Sequence, residues 1–86
     1  MSELLEWIED INPEALLADG FNDAIIGMCE RFDSDPVVAY DKDKCIEILM
    51  ERDSMTYEEA VEYFHFNVLG AYMGEGTPVF ILNQLG

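Results

Sequence analysis

Eighty-six residues, half of them apolar and 12% aromatic, suit one folded domain and exclude a disordered acidic tail. Nineteen acids face four bases, a net charge of −15, and the first 23 residues carry seven acids and no base. Such a field repels nucleic acid and anionic membranes and suits cationic partners, a basic protein surface or a metal ion, although it also serves plain solubility.

Residues 2–11, SELLEWIEDI, predict a helix. Ser2 is its cap, Leu4, Ile8 and Ile11 form one stripe with Leu5 beside it, and Trp7 sits off the centre of that stripe. Asn12 and Pro13 then suit the cap and first position of a second, short helix. Leu16 and Leu17 give it an apolar side and Gly20 ends it. The runs 24–32 and 36–40 carry Ile, Val, Phe and Tyr around DSDP, which is turn chemistry, and read as a β-hairpin. Gly27 inside the first strand marks a bulge or a close backbone approach, and a helix over 23–32 is the competing assignment.

DKDKCIEILMERD is a helix capped by Asp41, with Asp43 in its first turn and Arg52 in its last, both favourable to the helix dipole. Cys45, Ile48 and Leu49 share its inner face, flanked by Ile46 and Met50. In SMTYEEAVEYFHFN, Thr56 and Glu59 have capping-box spacing, and Met55 can staple onto Ala60 or Val61. A helix over 57–69 follows, with Tyr57, Val61, Phe64 and Val68 as its core stripe and Ala60 widening it. Glu58, Glu62 and His65 form another stripe, and Gly70, Gly74 and Gly76 close the segment. TPVFIL, 77–82, reads as a last strand at an edge or starting at its proline. The order is α-α-β-β-α-α-β: a single α+β domain over 1–86, with a three-stranded antiparallel sheet and helices on one face.

Most chemistry fails on spacing. A calcium loop begun at Asp33 or Asp41 puts Val38 or Ile46 where glycine is required. One histidine and two cysteines fall short of a zinc site, so no metal and no cofactor is expected. Cys29 and Cys45 read as reduced, buried thiols rather than a nucleophile or a disulfide. GEGTP lacks the lysine and the helix of a phosphate loop, and no basic patch exists to hold nucleic acid. No run approaches membrane-spanning length, and the acidic start has no basic targeting region, which predicts a cytoplasmic protein. The protein is expected not to be an enzyme. Tyr63 and Phe66, near the glutamate-bearing side, read instead as a partner-binding patch.

The stretch VVAYDKDKCIEILMERDSMTYEEAVEYFHFNVLGAYMGEGTPVF, 37–80, and DGFNDAIIG, 19–27, resemble a group of small acidic proteins encoded by bacteriophages and prophages. The group has glycine where this chain has Ser54 and an acid where it has His65. The resemblance implies a setting in the cytoplasm of an infected bacterial host and supplies no reaction. Small acidic proteins of that setting suggest, by analogy, an inhibitor of the anti-CRISPR or anti-restriction type that presents carboxylates where phosphates would lie. The partner would be a basic host protein that binds nucleic acid. The residues expected to meet it are Glu3, Glu6, Trp7, Glu9, Asp10, Glu14, Glu58, Glu62, Tyr63 and Phe66. The alternative is a structural or accessory protein that joins copies of itself, as a homodimer, through the TPVFIL edge and the exposed aromatics.

Overall fold

Branched and aromatic residues between Ile25 and Asp41 form an antiparallel hairpin, β1 (Ile25–Arg31) and β2 (Ser34–Asp41), so the competing helix over 23–32 does not form. The computed structural model describes residues 2–71, 74 and 76–82, with the Ser2 side chain, and so its predicted cap, outside the described set. The predicted turn shifts: Phe32 and Asp33 make the two-residue loop, Asp33 taking φ 62°, while Ser34, Asp35 and Pro36 enter β2. Aspartate tolerates that left-handed conformation, which explains why the loop settles there. Pro36 is accommodated by a bulge, since two β2 residues lie between the Cys29–Val37 and Arg31–Ser34 pairs and only one of β1 does. The bulge expected at Gly27 is present, with Ile26 as the extra residue and Gly27 at φ 154°.

The hairpin follows α1 (Ser2–Ile11) and a short 3₁₀ turn, Asn22–Ala24. The second helix predicted from Asn12 does not form. Asn12 is buried; its Oδ1 accepts from the Glu14 amide at 3.0 Å and its Nδ2 donates to the Pro36 carbonyl at 2.9 Å. Further along, the Leu16 amide donates to the Gly76 carbonyl at 3.0 Å and the Ala18 amide to the Tyr40 hydroxyl at 2.7 Å. Long-range acceptors thus take the donors that a helix would have used. Gly20 still adopts the left-handed conformation expected of it, φ 88°, now at the end of a turn.

β2 runs straight into α2 (Lys42–Arg52), whose first turn is capped by Asp41 Oδ1 accepting from the Lys44 amide at 3.3 Å. Then come α3 (Tyr57–Tyr63), a π-helical turn (Phe64–Val68), a 3₁₀ turn (Leu69–Ala71) and β3 (Val79–Ile81). β3 lies beside β2 in the order β1-β2-β3, and it is parallel, not antiparallel, which corrects the predicted sheet to a mixed one. The connection contains two helices, and such a crossover returns the chain to the starting end of its neighbour. β3 is an edge strand, shorter than predicted, with Pro78 just ahead of it.

One face of the sheet presents Ile25, Met28, Val38, Tyr40 and Phe80 to the helices, which contribute Ile8, Cys45, Ile46, Leu49, Ala60, Phe64 and Val68. Tyr40 is the centre of this core. Its ring stacks on Phe80 with centroids 5.3 Å apart, and Phe80 meets Phe64 edge-on at 5.0 Å. Met55 and Val61 pack against the same core. Leu16 and Leu17 are exposed instead of packed, because the segment after α1 is not helical, and Ile11, the last residue of α1, is exposed as well. Tyr57, expected in the core, is 62% exposed: Ala60 and Phe64 set the inward direction of α3, and Tyr57 at its first position falls outside it.

Candidate functional site: an acidic and aromatic groove on α3

The groove begins with the turn before α3. Ser54 adopts φ 55° and swings the chain into Thr56, where the capping box is complete. The Glu59 amide donates to Thr56 Oγ1 at 3.2 Å, and the Thr56 amide donates to Glu59 Oε1 at 2.9 Å. This fixes the rotation of α3, and burial of Ala60 and Phe64 on its inner side turns the opposite stripe outward. Met55, Thr56, Glu58, Glu59, Glu62, Tyr63, Phe66 and Asn67 then border a shallow, open groove that runs along this one stretch of chain.

The π turn shapes the far end. The Phe64 amide is shared between the Ala60 and Val61 carbonyls, and the Leu69 amide reaches back five residues to Phe64. Phe64 and Val68 stay buried while Phe66, 76% exposed, faces the groove beside half-exposed Tyr63. His65 does not belong to the glutamate stripe where the sequence puts it. Its Nε2 lies 3.0 Å from Lys42 Nζ on the α2 side, while Phe66, on the same π turn, lines the groove with Glu62.

Glu58 and Glu62 have no cation within ion-pair distance among the described residues. Of the chain's bases, Arg52 pairs with Asp53 at 3.0 Å and lies over the Phe21 ring, and Lys42 lies over Phe64. The predicted site residues therefore separate into two surfaces. Glu58, Glu62, Tyr63 and Phe66 share the groove. Glu3, Glu6, Trp7, Glu9 and Asp10 are exposed along α1, and Glu14 follows in the adjoining turn. Glu9 edges a depression with Leu5, Ile8 and Leu17, and Glu14 another with Asn12, Asp35 and Gly76; neither includes a groove residue. The sequence reading left Asn67 out of the site and gave Met55, Thr56 and Glu59 only helix-starting roles. Their spacing from Met55 to Glu59 to Tyr63 and Asn67, one helical turn at a time, carries the signal that they share a face.

No cysteine, serine or histidine lines the groove. Cys45 is fully buried, and burial, aided by the nearby Asp41 carboxylate, pushes its thiol up to about 12, which keeps it protonated and inert. Cys29 and Cys45 are both free thiols, though Cys29 is only half-buried. Among the described residues no three His, Cys, Asp or Glu side chains converge to hold a metal ion, and no helix is long and apolar enough to cross a membrane. Comparison with protein-family models, with curated proteins and with solved structures finds no match to this chain.

Proposed function

We propose that this chain is a non-enzymatic binding protein that inhibits a host nucleic-acid-binding protein, in the cytoplasm of a bacterium infected by a phage. The observation that carries the reading is charge without internal compensation: −15 on 86 residues, with the carboxylates of α1 and of the α3 groove exposed. Fifteen uncompensated charges repel one another, a cost relieved when a basic surface covers them. The phage likeness of residues 37–80 supplies the setting, and analogy with small acidic inhibitors supplies the anti-CRISPR or anti-restriction class. In this mechanism the carboxylates occupy Lys and Arg side chains that otherwise hold phosphates, and the aromatic rings anchor the contact.

The test is affinity capture of the tagged protein from host lysate, washed at low and then high salt, followed by a nuclease assay on what elutes. A nucleic-acid-binding complex released by salt and blocked by the purified protein supports the reading. Binding indifferent to salt overturns the mimicry.

A second reading, self-association as a structural or accessory protein, draws on a different surface. Ile26, Phe32, Ile81 and Leu82 are 54%, 93%, 41% and 74% exposed, and β3 is an edge strand. A concentration-dependent dimer in light scattering, abolished by Ile81→Lys, favours that reading.

A further inference from the structure

We infer that the depression between α1 and the loop after it receives a basic amphipathic helix of the protein partner, with an aliphatic side chain seated on Ile8 and Ala15 and a base one turn away set against Glu6 and Glu9. The inference rests on the cationic-partner reading above and names the kind of segment that makes one contact.

Two elements build the depression. α1 supplies Leu5, Ile8 and Glu9, and the loop supplies Pro13, Ala15 and Leu17. The loop is tied to the sheet at both ends of this stretch. Asn12 Nδ2 donates to the Pro36 carbonyl at 2.9 Å, and the Ala18 amide donates to the Tyr40 hydroxyl at 2.7 Å. Held there, Leu17 stays 37% exposed beside buried Ile8 and half-buried Leu5 and Ala15. Apolar surface left open to water between two elements is relieved when an apolar side chain from outside covers it.

Charge chooses what carries that side chain. The Asn12 side chain bonds Pro36 and Glu14, so Glu9 is the one charged group that borders the depression. Glu6 stands three residues before it, one turn back on α1. Neither carboxylate has a cation within ion-pair distance among the described residues, and the chain carries no base before Arg31. This field repels a nucleic-acid duplex and an anionic membrane, and a second copy would bring its own acidic α1 against this one. An apolar seat beside an acidic rim is complementary in both respects to a helix whose apolar residue stands three or four positions from a base.

The experiment is an amide-resolved NMR titration of the full chain with the acetylated and amidated peptide KAALAAAKAALAAAK, and with a counterpart whose leucines are alanines. The expected result is shifts centred on residues 5–17, with the leucine-free peptide about fivefold weaker. Leu17→Ser weakens binding of the first peptide about fivefold and Glu9→Gln about threefold. Glu47→Gln, the same loss of charge at an exposed position of α2, leaves it unchanged. Equal binding of the two peptides, or indifference to both Leu17→Ser and Glu9→Gln, overturns the inference. Shifts centred on residues 55–67 also overturn it while leaving the cationic-partner reading intact. Absence of shifts with either peptide overturns it too, and the salt-washed capture from host lysate then decides the cationic-partner reading separately.

Discussion

The two acidic surfaces have nearly the same composition and differ in how they are held. On α1 the carboxylates Glu3, Glu6, Glu9 and Asp10 surround Trp7, 46% exposed, on a helix fastened to the core by Ile8 with Leu4 and Leu5 packed alongside. On α3, Glu58, Glu59 and Glu62 stand beside Tyr63 and Phe66 on a helix with a complete capping box and a wholly buried Phe64. Charge alone thus draws a cation to either surface, but the better-anchored one offers it a fixed geometry.

The largest expected effect breaks that anchor. Phe64→Ala removes a ring that meets Phe80 at 5.0 Å and should cost about 3–5 kcal/mol in urea unfolding followed by circular dichroism, most of the stability of a domain this small. Ile8→Ala, the corresponding lesion under α1, should cost about 2 kcal/mol. Equal losses would erase the distinction between the two surfaces.

The next effect tests the core between them. The Cys45 thiol titrates higher in the folded chain, about 12, than at its ordinary value of 9.0. Its contribution is therefore fully present below about pH 9 and lost as pH rises toward 12, with a slope no steeper than ~1.4 kcal/mol per pH unit. Urea midpoints from pH 7 to 10.5 should fall above pH 9, and Cys45→Ala should flatten that fall.

Thr56→Ala removes the acceptor for the Glu59 amide and should cost about 1 kcal/mol, again by urea unfolding. It should also loosen the groove wall, seen as faster amide exchange at residues 57–60. The smallest effect sharpens the charge argument. Glu62→Gln relieves the repulsion with Glu58 one turn back, removes a negative charge from the last turn of α3 and should stabilise the free protein by about 0.3 kcal/mol. The same change should weaken capture of a cationic partner, so stability and binding move in opposite directions.

Much of this architecture is legible in local chemistry. Asp41 caps α2 and Thr56 with Glu59 caps α3 because those signals act over three residues of chain. The hairpin and the Gly27 bulge follow from β-forming residues around a glycine. The candidate groove is legible in part: Glu58, Glu62, Tyr63 and Phe66 are on it, whereas His65 is not. The π turn and the pull of Lys42 decide that last point, and neither has a clear signature in the residues themselves.

What the sequence by itself determined is therefore the α+β class, the helix starts, the hairpin and the uncompensated acidity, all properties of composition and of contacts within a few residues. Only the tertiary structure decided the rest. Asn12 spends its side chain on Pro36 and Glu14, and Ala18 gives its amide to Tyr40, so the expected second helix opens into a docked loop. The two-helix crossover makes β3 parallel. Burial of Phe64 rather than Tyr57 selects which stripe of α3 faces out. Each of these depends on a partner far along the chain, and local propensity yields where a distant partner satisfies the same donor or buries one ring of a helix in place of another.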